Sequence, residues 1–189
     1  MKFKGINHIA FATNNLDNTI RFWRDLLGMK VIAGIGAKEV RQYFFEISEN
    51  SMISFFEWPD VQPVQDKEPG TPVKGPFVFD HICLELEDQD KLWELKNELE
   101  AADVWCTEEL DNGFIHSFFS TDPNNIQLEF CYRIKHINLS QDPRIVDQDP
   151  PESLQQGLEQ QDGIWPSVHA YTPSEERRVY PGSLRGLVE

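Results

Sequence analysis

Basic residues are scarce in this 189-residue chain: 17 Lys and Arg stand against 32 Asp and Glu, for a net charge of −15. Such a charge repels phosphate backbones and anionic bilayers at long range, so neither nucleic acid nor a membrane surface is an expected partner. Cysteine is sparse as well. Cys83, Cys106 and Cys131 are odd in number and show no Cys-x-x-Cys spacing, which argues against a disulfide framework or a zinc ribbon and for reduced, buried thiols. No apolar run reaches the roughly 18 residues of a membrane span, and Met1-Lys2-Phe3-Lys4-Gly5 leads straight into a strand-like pattern without a signal-peptide core. A cytoplasmic protein is therefore expected.

What the chain has is enough apolar material, at 40% of its residues, for one or two ordinary cores. Residues 5–13 alternate as a strand, with Ile9 and Phe11 on one side and Ile6, His8, Ala10 and Ala12 on the other. Asn15 then offers a helix cap and Asp17 a negative first turn, while Leu16, Ile20, Trp23 and Leu27 recur at helical spacing up to Gly28. Strands are expected at 30–35, 40–47 and 52–58, with Glu49-Asn50-Ser51 as a tight turn. Five prolines between Pro59 and Pro76 then read as a linker.

After the linker the order restarts. A strand over 77–86 sends Ile82, Leu84 and Leu86 one way and Phe79, His81, Cys83 and Glu85 the other. A helix from Gln89 to Ala102 carries Leu92, Leu95 and Leu99 on one stripe, and their mutual spacing repeats that of Ile20, Trp23 and Leu27. Strands over 114–120 and 126–132 flank the turn Asp122-Pro123-Asn124-Asn125, and Glu129 falls on the face opposite Ile126, Leu128 and Phe130. The interval from Ile20 to Leu92 recurs between Glu57 and Glu129, and that from His8 to His81 is one position longer. A duplicated unit is the economical reading, with the extra position taken up in the strand-to-helix turn, where insertions are best tolerated.

The expected organisation is thus a first module over 1–58, a Pro-rich linker over 59–76, a second module over 77–133 and an irregular C-terminal extension over 134–189. Six of the twelve prolines fall in that extension, with a short helical pattern near Ser153–Gln160 and Trp165, Val168, Tyr171 and Tyr180 as anchors if it wraps the domain. If the modules join their concave faces, His8, Glu57, His81 and Glu129 converge as two nitrogen and two oxygen donors. That set suits Fe, Ni, Zn, Mn or Co as one divalent ion with two positions left for substrate.

These residues, in these contexts, make residues 5–133 resemble the vicinal oxygen chelate superfamily of glyoxalases, extradiol dioxygenases and bleomycin-resistance proteins. The resemblance implies an α+β fold of two tandem βαβββ modules forming a joined curved sheet around a central cavity. It implies a metal held by His8, Glu57, His81 and Glu129, with Glu57 the ligand of glyoxalase-like members only. It also implies a small-molecule substrate with vicinal oxygens, a homodimer as one assembly the pattern allows, and lyase or isomerase chemistry in which Glu129 or Glu57 carries the proton. An Fe(II) extradiol-type dioxygenase and a non-catalytic bleomycin-resistance-like binder are the alternatives. Phe119 stands where ring-cleaving members carry a tyrosine, which counts against the dioxygenase. Asn125 stands where a glycine is usual, and asparagine also enters the left-handed region. His116, on the opposite face from Phe119, and His136 and His169, outside the duplicated unit, are read as structural or surface residues.

Overall fold

Each duplicated segment folds as a strand, a helix and three strands. The first comprises β1 (His8–Thr13), α1 (Leu16–Ile20) running into a π-helical stretch (Arg21–Leu26), β2 (Val31–Ala37), β3 (Val40–Ser48) and β4 (Ser51–Glu57). The second comprises β5 (Ile82–Glu85), α2 (Gln89–Ala101), β6 (Leu110–Asp111), β7 (Ile115–Thr121) and β8 (Gln127–Arg133). This computed structural model describes residues 4–37, 40–72, 79–182 and 184–187. Phe77 and Val78, expected to open the fifth strand, and positions 73–76 of the expected linker lie outside the described residues.

Two four-stranded sheets result, ordered β1-β4-β3-β2 and β5-β8-β7-β6. In each, the first strand runs parallel to the last and the remaining pairs are antiparallel. Among the described residues no strand of one sheet pairs with a strand of the other, and the two modules join through side chains. One core unites them, drawing Trp23, Phe45 and Phe55 from the first module and Leu92, Leu99, Phe118 and Leu128 from the second. Each such side chain contributes roughly 1.5–3 kcal/mol on burial.

The helices start where side chains can satisfy the free N–H groups of their first turns. Asn15 Oδ1 accepts from Asn18 N at 3.0 Å, and Asp88 Oδ1 accepts from Lys91 N at 3.0 Å. In the first module the widened turn has a purpose legible in the packing. Leu27 N bonds Phe22 O at 2.9 Å, five residues back, and the consecutive aromatics Phe22 and Trp23 both become buried. Gly28, at φ 71°, ends the helix while Met29 N reaches Trp23 O at 3.0 Å.

The strand-to-strand turns differ sharply between modules. Between β3 and β4 the chain makes a short exposed hairpin, with Ser48 and Ser51 hydroxyls 2.7 Å apart. Between β7 and β8 the Asp-Pro turn is a buried hub. Asp122 Oδ1 accepts from Asn124 N at 2.8 Å and Ile126 N at 2.9 Å, and its Oδ2 accepts from Asn124 Nδ2 at 2.9 Å and from Trp23 Nε1 of the other module at 3.1 Å. Burial pushes the Asp122 carboxyl up from its ordinary pKa despite these donors. Asn125 takes the left-handed conformation expected of it, at φ 60°.

The chain divides into residues 1–137 with 186–189, which hold both modules, and residues 138–185. The latter unit contains α3 (Glu152–Gln155) and little other regular structure. Trp165, Val168, Tyr171 and Tyr180 of this unit are 84%, 61%, 83% and 77% exposed. No helix among the described residues is long and apolar enough to cross a membrane.

Candidate metal site

Strand register decides which side chains share a face. In the second module Cys83 pairs with Glu129 across β5 and β8, and Phe119 pairs with Glu129 across β7 and β8. Ile82, Leu84 and Phe130 turn toward the core, leaving His81, Cys83, Glu129, Cys131 and Phe119 together on the other face. There His81 Nε2 lies 3.1 Å from Glu129 Oε2, and the Glu129 side chain is only 7% exposed. The Phe119 ring stands edge-on to the imidazole, with centroids 5.4 Å apart.

The other imidazole nitrogen is held from behind. His81 Nδ1 lies 2.7 Å from Asp80 Oδ1, and Asp80 Oδ2 accepts from Lys67 Nζ. Lys67 above all, then His81 and the Gly70 N–H, hold the Asp80 carboxyl well below the usual carboxylate range. Asp80 can only accept, so His81 Nδ1 donates to it, and in the neutral ring this puts the Nε2 lone pair on the Glu129 side, the arrangement of metal-binding histidines with a carboxylate behind them.

The first module repeats this construction up to its last position. His8 Nδ1 lies 2.9 Å from Asn7 Oδ1, the residue just before it, and the Phe44 ring stands edge-on at 5.8 Å. Phe44 pairs with Ser54 as Phe119 pairs with Glu129, and Ala10 pairs with Ser54 as Cys83 pairs with Glu129. Ser54 is therefore the positional counterpart of Glu129. It is fully buried and accepts from Gln42 Nε2 at 3.1 Å.

Glu57, expected to be the fourth donor, is placed elsewhere. It pairs with Thr13 at the far end of β1, five residues beyond His8, or about 16 Å along the strand. Its Oε1 accepts from Leu16 N at 3.2 Å, capping α1, and its Oε2 accepts from Arg41 at 3.0 Å. Nor does one chain gather three donors: among the described residues no group of three or more His, Cys, Asp or Glu side chains is disposed to hold a metal. His81 and Glu129 are brought together, and His8, exposed and with no partner on Nε2 among the described residues, is not brought to them.

Two features of the site differ in how far spacing reveals them. The side-chain oxygen before each histidine is legible as Asn7-His8 and Asp80-His81. The contribution of the linker is not. Lys67 and Pro69 join Trp105, Thr121 and Gln127 in lining a cavity of about 460 Å³, and Gln127 lies two residues from Glu129 on the same face. The thiols of Cys83 and Cys131 adjoin Glu129. Cys83 is exposed, against the buried thiol expected of it, and a hydrogen bond shared with Cys131, then partial desolvation and the Glu129 carboxylate, push its thiol up.

His116 sits on the opposite face, as alternation with Phe119 requires, paired with Tyr132. Its Nδ1 lies 3.0 Å from both Glu109 Oε1 and Tyr132 Oη, and Glu109 also accepts from Trp93 Nε1 at 2.6 Å and Gln89 Nε2 at 3.2 Å. Burial opposes ionisation of Glu109, but the bonds from Trp93, His116, Gln89 and Tyr132 outweigh it and hold the carboxyl below its ordinary pKa. This cluster is internally satisfied and reads as a tie between α2 and the sheet.

A match to the glyoxalase/bleomycin resistance protein/dioxygenase superfamily spans residues 5–130. The chain belongs to this superfamily. Solved structures agree in fold at low identity. A glyoxalase/bleomycin resistance protein/dioxygenase domain from Frankia sp. EAN1pec is 18% identical with a TM-score of 0.59, covering 70% of this chain and 100% of that one. The fosfomycin resistance protein FosX of Listeria monocytogenes, solved with Mn(II) and sulfate, is 17% identical with a TM-score of 0.54, covering 71% and 97%. The trypanothione-dependent glyoxalase I of Leishmania major is 20% identical with a TM-score of 0.55, covering 74% and 94%. Superfamily membership fixes the fold, and function has to be argued from the site.

Proposed function

We propose that this chain is a divalent-metal-dependent enzyme acting on a small molecule with two adjacent oxygens, its metal held by His81, Glu129 and the His8 of a second copy of the chain. The observation that carries this reading is the His81 Nε2 to Glu129 Oε2 separation of 3.1 Å. Two ligands at right angles on an ion with bonds of about 2.1 Å stand about 3 Å apart. The pair therefore fits an ion between them, and Asp80 already orients His81 for it. His8 has the same supported Nδ1 and, among the described residues, an open Nε2, and no group of three donors that includes it and the pair forms among those residues of one chain. A second copy would supply it, and closed twofold assembly would create two such sites.

A bound divalent ion supplies Lewis acidity to the two substrate oxygens. Glu129 is the carboxylate that faces His81 Nε2 and is the group proposed to take or return a substrate proton. Phe119 and its edge-on packing exclude water from one side of His81 and offer no proton. Lyase or isomerase chemistry is the reading this arrangement supports. A second reading, Fe(II) oxygen chemistry, is favoured by one observation: with Glu57 committed to Leu16 and Arg41, the set becomes two histidines and one carboxylate, a donor set typical of non-haem iron oxygenases.

Elemental analysis of protein purified without chelator tests the proposal. About one divalent ion per chain is expected, lost in His81→Ala and Glu129→Ala. Iron would favour the second reading, and nickel, zinc, manganese or cobalt the first. No metal even after reconstitution would leave a binding protein without turnover.

A further inference from the structure

The described part of the stretch that joins the modules is docked rather than free. Val64 N donates to Asn124 O at 2.9 Å, Asn125 Nδ2 donates to Val64 O at 2.8 Å and to Asp66 Oδ1 at 2.5 Å, and Val64 packs against the shared core. Docking delivers Lys67 to the back of the site. Its side chain is 4% exposed, and an ammonium so covered demands a charged partner. Asp80 is that partner, with Lys67 Nζ donating to its Oδ2 at 2.5 Å.

Asp80 is itself half exposed and would otherwise be free to turn toward water. Its two oxygens have divided duties. Oδ2 takes Lys67, while Oδ1 takes the Gly70 N–H at 3.0 Å and His81 Nδ1 at 2.7 Å. A continuous series of contacts thus runs from the linker through Lys67 and Asp80 to His81 Nε2 and Glu129. The first module has no equivalent, since Asn7 supports His8 but its side chain makes no further hydrogen bond among the described residues.

We infer that Lys67 is a positioning residue: by fixing Asp80 it fixes the tautomer and ring orientation of His81, so that docking of the linker sets the metal affinity of the site. This rests on the proposed function. It adds that the linker is part of the metal site, and that His81 and His8 are unequal ligands, one backed by an anchored carboxylate and the other by a neutral amide.

The test compares Mn(II) and Co(II) dissociation constants, by titration calorimetry and cobalt absorption, for the full-length wild type, Lys67→Met, Lys67→Arg and Asp80→Asn. Urea midpoints report folding, and imidazole ¹⁵N shifts of the metal-free chains report the His81 tautomer. Loss of a supporting partner behind a metal-binding histidine weakens affinity by about 10–100-fold. Asp80→Asn should fall in that range, Lys67→Met at about tenfold, and Lys67→Arg should recover most of the loss. The Nδ1–H signature of His81 should weaken in Lys67→Met and Asp80→Asn but not in Lys67→Arg. Should Lys67→Met fail to fold, the double variant Lys67→Met/Asp80→Asn, which leaves no unpaired charge, must still bind metal more weakly than wild type. A folded Lys67→Met chain, or that double variant, with wild-type affinity and tautomer overturns the inference and leaves the proposed function standing. A wild-type chain that binds neither ion overturns both.

Discussion

The two modules start from one design and diverge at the position that gives it chemistry. Both set a histidine at or just before the start of the first strand, support its Nδ1 with the preceding side chain, and lay a phenylalanine edge-on to its ring. Only the second completes the set with a carboxylate, Glu129, where the first has the buried Ser54. The first module instead places its glutamate three residues further along β4, where it ties β4 to the start of α1. Duplication therefore conserved the geometry while the donor sets became unequal, one imidazole from the first module and an imidazole with a carboxylate from the second. Under the proposed function these unequal halves make a metal site only when they meet, which would link assembly to function.

The largest effect expected from breaking this comparison is at the turn between the last two strands of each module. Asp122→Ala strips a buried carboxylate from four donors, one of them Trp23 Nε1 in the other module. Stability should fall by about 3–5 kcal/mol in urea unfolding. Ser51→Ala, at the exposed counterpart turn, should stay within about 0.5 kcal/mol. Similar losses in both would mean that the Asp-Pro turn is not the joint between modules.

The duplication itself is legible in the sequence, because His81 answers His8 and the stripe Leu92, Leu95 and Leu99 answers Ile20, Trp23 and Leu27 at nearly the same interval. The misplacement of Glu57 has a physical origin. The interval of the helix stripe, carried onto β4, matches Glu57 with Glu129, whereas strand pairing matches Ala10 with Cys83 and Ser54 with Glu129. Ser54-Phe55-Phe56-Glu57 is apolar on both sides of the strand, so no alternation can correct a three-residue slip. The two-residue β6 is too short to leave a periodic signal. The union of Trp23 with Asp122, 99 residues apart, and the delivery of Lys67 to Asp80 are contacts between elements, which spacing within an element does not encode.

A smaller effect should follow from the tie on the helix-covered face of the second module. Glu109 accepts from Trp93, His116, Gln89 and Tyr132, which hold its pKa below the ordinary value. A depressed carboxyl contributes stability that is present above its unfolded pKa of about 4.3 and lost as pH falls through the lower folded value. Glu109→Gln should therefore cost roughly 1–2 kcal/mol at neutral pH. The two unfolding curves should converge at acid pH, and a difference that persists undiminished there would show that packing rather than charge makes the tie.

Glu57→Ala sharpens the contrast between the modules most gently. Losing the bonds to Leu16 N and to the largely exposed Arg41 should lower stability by about 1 kcal/mol and leave metal content unchanged. Loss of metal in this variant would restore Glu57 as a ligand and require a different register for β4.

Assembly of the site from two copies is tested most directly by mixing. His8→Ala and Glu129→Ala chains are each assayed for bound divalent metal, then unfolded together, refolded as an equimolar mixture and assayed again. Each variant alone should hold no tightly bound ion. Random pairing should restore about a quarter of the wild-type content, because half the dimers are mixed and each mixed dimer has one intact site. Failure of the mixture to regain metal, under conditions where refolded wild type does, would contradict a site shared between copies.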